Sequence, residues 1–212
     1  KIRSFNRNFI DRAVEFFFYS TCINNNEWSN NMTIKNKKYK HIVESLQTAF
    51  TINPESAKAN FSASSKLISG LKCESISRGF KTIIDEPESL GGSNLGPSPV
   101  ELALAALGAC QEITYRLYAD KLGISFSKIE IDLSGNLDFK GFLALDDNIR
   151  PGYLGINVTV NIESTASDAE IDKLKDIVNA HCPVLDLFSN KTPVNISVNK
   201  KSSSSSKKRQ AA

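Results

Sequence analysis

The feature that most constrains this chain is the run Gly96-Pro97-Ser98-Pro99-Val100-Glu101-Leu102-Ala103-Leu104-Ala105-Ala106-Leu107-Gly108-Ala109-Cys110. Ser98 is a good N-cap, Pro99 a good first helical residue, and Glu101 occupies the position after them that a capping box requires. The spacing predicts a helix that starts at Pro99 and ends at Gly123. From Leu102 to Cys110 every residue is apolar or small, so this half of the helix has no water-facing side and must be enclosed all round. Polar residues return only with Gln111, Glu112, Arg116 and Asp120. The small residues Ala105, Ala106, Gly108 and Ala109 permit close approach of another helix or another subunit. Any fold for this chain has to wrap something around that helix.

The rest of the pattern supplies the wrapping. Tyr39, Ile42, Val43, Leu46 and Phe50 form the stripe of an amphipathic helix, which Asn53-Pro54 should end. From Ala57 the alternation of a strand takes over, turning at Ser69-Gly70 into a returning strand from Leu71 to Ser77 and a third from Phe80 to Ile84. Two longer strands are predicted over Ser127 to Phe139 and Tyr153 to Ile162. Ile129, Ile131 and Leu133 face inward on the first, and Ile156, Val158, Val160 and Ile162 on the second. Ser167 caps a further helix with Glu170 at the box position, and it runs out at His181-Cys182-Pro183. A last strand is expected over Val194 to Val198. The order βββ-α-ββ-α-β argues an α+β fold with a largely antiparallel sheet.

Length and charge narrow the function classes. The chain has 212 residues, which suits one globular domain with tails, here expected over 57–199 after a helix in 32–56. The net charge of +3 is too small to argue nucleic-acid binding, and much of it lies in Lys200, Lys201, Lys207, Lys208 and Arg209. Residues 200–212, rich in Ser and Lys, are expected to be a disordered tail. Residues 1–31 are patternless and Asn-rich, and Met32 is the only Met. A Trp28-Ser29 pair encodable as a bacterial ribosome-binding sequence suggests that 1–31 is translated leader with no fold of its own. No segment reaches the roughly 18 consecutive apolar residues that span a bilayer, so no membrane partner is expected. Without a clean signal core the expected compartment is the reducing cytoplasm.

Four cysteines at irregular spacing, with no CxxC, make neither a zinc signature nor a disulfide framework, so no metal and no cofactor is expected. Taken singly, Cys110 reads first as a buried small hydrophobe, and Cys182 is undecided. Glu101 is a capping-box carboxylate and Arg78 an exposed strand charge. Cys73 and Cys22 suggest no role. A Cys-His hydrolase would need His41 or His181 beside a thiol and a third orienting group, and none is evident.

From Ala57 to Val198, about two thirds of the chain, the order of elements and the strings together resemble the OsmC/Ohr family (osmotically inducible protein C and organic hydroperoxide resistance proteins). The carrying segments are Asp85-Glu86-Pro87 with Gly91-Gly92, Pro97 to Leu102 with Leu107-Gly108-Ala109-Cys110, and His181-Cys182-Pro183-Val184. Leu137-Asp138 with Gly141, and Ile149-Arg150-Pro151-Gly152-Tyr153, resemble a longer branch. The resemblance implies an intertwined homodimer with sheets wrapped around long central helices. It implies an antioxidant, thiol-dependent peroxidase serving an oxidative stress response. Cys110 would be oxidised by a hydroperoxide to a sulfenic acid, Cys182 would resolve it as a disulfide, and a cellular dithiol would recycle both.

The family's site glutamate directly follows the junction proline. Here Val100 stands there and the carboxylate comes one place later at Glu101, about 100° further round a helix. An arginine is also required, because a thiol in an apolar helix otherwise stays protonated near ~8.5 or above. Arg78 is the first choice for it, Arg150 the second, and Arg116, further along the same helix, the third. The Leu and Phe surplus suggests an organic hydroperoxide as substrate. The alternative on the same fold is a redox sensor or small-molecule-binding protein without peroxidase turnover.

Overall fold

A computed structural model describes residues 38–201, all within one compact unit. The expected leader, Cys22 and the tail beyond residue 201 lie outside the described residues. Helix α1 spans Lys38–Ile52 and keeps Tyr39, Ile42, Val43, Leu46 and Phe50 half-buried. It stops where Pro54 removes the next amide donor, and a single 3₁₀ turn follows at Pro54–Ala57.

Strands β1 (Ser64–Ser69), β2 (Lys72–Ser77) and β3 (Phe80–Ile84) form an antiparallel meander. Ser64 faces Ile76 across the first pair and Cys73 faces Ile84 across the second. The alternation predicted from Ala57 thus becomes a strand only at Ser64, where β2 offers a partner. Arg78 and Gly79 form the β2–β3 turn with φ of 50° and 88°, the left-handed pair that a two-residue hairpin requires.

Helix α2, Pro99–Leu122, starts and stops where its caps dictate. The Ser98 hydroxyl accepts from the Glu101 amide, the Glu101 carboxylate accepts from the Ser98 amide, and Gly123 closes the helix at φ 75°. Strands β4 (Phe126–Asn136) and β5 (Gly155–Ser164) make a second antiparallel pair. Its register sets Ile129 opposite Ile162, Ile131 opposite Val160 and Leu133 opposite Val158. One helical turn, α3 (Phe139–Phe142), lies in their connection. Helices α4 (Asp168–His181) and α5 (Pro183–Ser189) follow, α4 with its own capping box from Ser167 and Glu170.

The core lies between α2, α4 and the β4–β5 pair. Tyr115, Ala119, Ile124, Phe126, Leu174 and Val178 are buried together, with Ile129, Ile131, Val160 and Ile162 packed against them. Gly108 lets β4 approach α2, since a Cβ there would meet Leu133 Cδ1 at 2.8 Å. None of the described helices is long and apolar enough to cross a membrane.

Two expectations fail. Val194 to Val198 forms no strand; its residues are exposed, Ile196 at 86%. Alternation alone does not make a strand without a partner edge to bond to. Nor is the first half of α2 enclosed all round: Leu107 and Gly108 are buried, but Ala105, Ala106 and Ala109 are exposed.

Candidate active site

Cys182 is placed by the residue after it. Pro183 has no amide donor, and its ring would clash with the preceding turn, so α4 cannot continue through it. Cys182 therefore closes α4 and caps α5, in an extended conformation at φ −80° and ψ 112°. That break turns its side chain into the core, where it is 2% exposed. Its thiol donates to Cys110 Sγ on α2 at 3.3 Å, across 72 positions of sequence. Both cysteines are free. A disulfide needs about 2.0 Å between sulfurs, so closing one from 3.3 Å takes a movement of about 1.3 Å.

The pair is asymmetric. Cys110 is half-buried and Cys182 fully so, so an incoming oxidant meets Cys110 first. Burial pushes the Cys110 thiol up from its ordinary pKa, the Val184 amide at the start of α5 opposes that by hydrogen-bonding the sulfur, and the Cys182 thiol adds to the rise. The Thr114 hydroxyl also lies close enough to favour the thiolate. Its one proton, however, goes to the Cys110 carbonyl at 2.7 Å, and we take that bond as its main commitment. Among the described residues no cation influences this sulfur.

The other sequence candidates are dispersed. The Glu101 carboxylate is 2.7 Å from the Ser98 amide nitrogen and 2.8 Å from its hydroxyl. These bonds, the amide first, hold its pKa below the usual carboxylate range. Val100, at the position of the family's glutamate, instead lines an apolar cleft with Leu107, Arg150 and Phe188. Arg78 sits at the β2–β3 turn with its guanidinium 5.6 Å from the centre of the Phe80 ring. Arg116 Nη2 lies 2.7 Å from Asp120 Oδ1, and the guanidinium is flanked by the rings of Tyr39 and Phe126 at 5.5 and 5.4 Å. This is a Coulombic contact rather than an aligned hydrogen bond, because Arg116 Nη2 and Asp120 Oδ2 have no aligned partner. His181 Nδ1 is 2.8 Å from the Ile177 carbonyl and its ring lies beside Tyr118. His41 is on α1 and Cys73 on β2. Among the described residues no three His, Cys, Asp or Glu side chains cluster to hold a metal ion.

Two supporting residues went unread in the sequence. Asp85, 1% exposed, accepts from the amides of Glu86, Ser93 and Leu95 at 2.9, 3.1 and 3.3 Å, and its own amide donates to the Pro97 carbonyl. It folds the 85–97 loop that delivers α2. Tyr153 donates from its hydroxyl to the Val100 carbonyl at 2.8 Å and lays its ring over Gly135, where a Cβ would be 2.7 Å away. The Asp85-Glu86-Pro87 string was the available signal for the first. For the second there was only its place in a string.

A model of the OsmC-like protein family matches residues 91–197, a span holding both paired cysteines. The chain belongs to the OsmC-like family. Solved structures share its α+β arrangement. An OsmC-like protein from Mycoplasma pneumoniae is 23% identical with a TM-score of 0.55, over 62% of this chain and 88% of that one. An OsmC-like protein of unknown function from Vibrio cholerae is 12% identical with a TM-score of 0.52, over 63% and 96%. A putative osmotic stress induced and detoxification response protein from Psychrobacter arcticus is 14% identical with a TM-score of 0.50, over 61% and 89%. Comparison with curated protein sequences gave no match. This OsmC-like chain therefore takes its fold from the family, while its chemistry is argued from its own side chains.

Proposed function

We propose that this OsmC-like protein is a thiol-dependent reductase of organic hydroperoxides, acting as a homodimer in a reducing cytoplasm. One distance carries the reading: Cys182 Sγ stands 3.3 Å from Cys110 Sγ. The Cys110 thiolate attacks the distal oxygen of the hydroperoxide. The O–O bond breaks, and the alkoxide leaves and takes a proton to become the alcohol. Cys110 is now a sulfenic acid, which stays reversible only if a second thiol traps it. Cys182 attacks that sulfur as its thiolate, the S–O bond breaks, and the oxygen departs as water. A cellular dithiol then reduces the Cys110–Cys182 disulfide by two exchanges, ending as its own disulfide and restoring both thiols. Arg78 is our assignment for the charge that holds Cys110 as thiolate; since no described cation acts on that sulfur within one chain, it would have to act across the homodimer. Glu101 serves the site through its cap, by fixing the first turn of the helix that carries Cys110.

In the test, the purified protein with dithiothreitol or a lipoyl dithiol consumes cumene hydroperoxide over many turnovers. Cys110→Ser abolishes consumption. Cys182→Ser allows one equivalent and then stalls as Cys110 over-oxidises. A Cys110→Ser protein that consumes the peroxide like its parent overturns the assignment.

A second reading has two observations in its favour. Burial raises the Cys110 pKa, and the Glu101 carboxylate is committed to Ser98. A redox sensor or small-molecule binder on this fold would form the disulfide with peroxide yet not cycle with excess dithiol, which the same assay distinguishes.

A further inference from the structure

Between the first half of α2, the start of β5 and α5 lies a cleft of about 510 Å³, a volume typical of small-molecule sites. Leu107, Ile156, Val158, Leu185 and Phe188 give it aliphatic and aromatic walls. Its polar options are few. The Tyr153 hydroxyl is committed to the Val100 carbonyl at 2.8 Å. Among the described residues of the lining, Arg150 alone is charged. Its guanidinium lies beside Gly152, where a Cβ would be in ordinary contact at 3.5 Å from Nη2 and 3.9 Å from Nε. Among the described residues no carboxylate lies within ion-pair distance of this guanidinium. An apolar trough with one uncommitted guanidinium is complementary to a molecule with an alkyl chain and a single anionic group. The planar fork of an arginine matches a carboxylate with two parallel hydrogen bonds, which a lysine cannot reproduce.

We propose that this cleft binds amphipathic carboxylates, the acid group on Arg150 and the chain along Leu107, Leu185 and Phe188. The site adjoins the thiols by two routes. Leu107 lies one helical turn before Cys110, and α5 carries both Leu185 and the Val184 amide that bonds the Cys110 sulfur. As a statement about substrate class it rests on the hydroperoxide reading, and it then selects hydroperoxides that bear a carboxylate over neutral ones. As a binding site it does not need that reading.

The test measures binding alone. Titration calorimetry on the reduced full chain, with no peroxide present, compares octanoate with octanol. Octanoate binds at least about tenfold more tightly, the scale of a charge-assisted hydrogen bond. Arg150→Gln brings octanoate down to the octanol level and leaves octanol unchanged, which also reports that the cleft is intact. Arg150→Lys recovers only part of the difference. Equal affinity for acid and alcohol, an Arg150→Gln protein that keeps the preference, or no binding of octanoate overturns the proposal. Because no turnover is read, a protein without peroxidase activity still passes or fails this test on its own terms.

Discussion

At the scale of single residues the chemistry turns on what surrounds one sulfur. Burial raises the Cys110 pKa, the Val184 amide only partly opposes it, and the Cys182 thiol adds to the rise. A cation must therefore reverse the balance if Cys110 is to be a thiolate at neutral pH. With Arg78 in that role, Arg78→Gln shifts the pH midpoint of Cys110 alkylation by iodoacetamide upward from the parent's; equal midpoints would exclude Arg78. The stability consequence has a definite sign. In the single chain the fold favours the neutral Cys110 thiol, so the unfolded chain binds fewer protons once pH passes the ordinary thiol pKa. This contribution is complete below that value and disappears as pH climbs through the folded one. How much of the site was legible follows the same line. The sequence marks Cys110 and Cys182 as unusual because each sits in a dense string. Their approach to 3.3 Å depends on Pro183 breaking α4 at one place, which no local pattern measures. Glu101 reads correctly as a capping carboxylate because its partner is three residues away. Asp85 reads only as part of a string and its role does not read, because Ser93 and Leu95 are eight and ten residues on in a loop without periodicity.

At the scale of elements, local and paired features are legible and unpaired ones are not. Both capping boxes and both helix lengths follow from short-range chemistry. The β4–β5 register follows from alternation because the two inward sets, Ile129-Ile131-Leu133 and Val158-Val160-Ile162, meet each other directly. Val194 to Val198 alternates as well as these do, yet it is no strand, because an edge to receive it is not encoded in its own residues. The junction between β3 and α2 is the element most exposed to a single change. Asp85 alone satisfies three loop amides there, and its own amide ties the loop's end at Pro97. Asp85→Ala leaves these donors without their acceptor in a part-buried place, a loss of about 1–3 kcal/mol in denaturant unfolding. Asp85→Asn recovers part of it, since one carbonyl oxygen can still accept. A loss below about 0.5 kcal/mol, within the range of ordinary surface changes, would show that the loop holds itself.

At the scale of the whole molecule the unmet requirement is the one the helix sequence states first. The apolar half of α2 calls for enclosure, but in one chain Ala105, Ala106 and Ala109 are exposed and Ile113, on the same face one turn further on, is 61% exposed. The β1–β3 meander likewise leaves Leu67 and Phe80 in water. An alanine face has little area of its own to bury, yet it admits close approach, so a second helix can lie against it with Ile113 as the larger contact. The proposed homodimer meets that demand by giving each α2 the other's surface, and an interface adequate for a stable pair buries about 1,200 Å² or more. Sedimentation of the full chain at micromolar concentration is therefore expected to give a dimer. Ile113→Glu places a charge where the two faces meet, and an unpaired charge there costs more than the contact returns. That variant sediments as a monomer with its helical circular dichroism retained, because position 113 is exposed in the single chain and α2 still packs through Leu107, Tyr115 and Ala119. If the parent itself sediments as a monomer, or Ile113→Glu remains a dimer, the open face of α2 has another purpose and the pairing of subunits must be sought elsewhere.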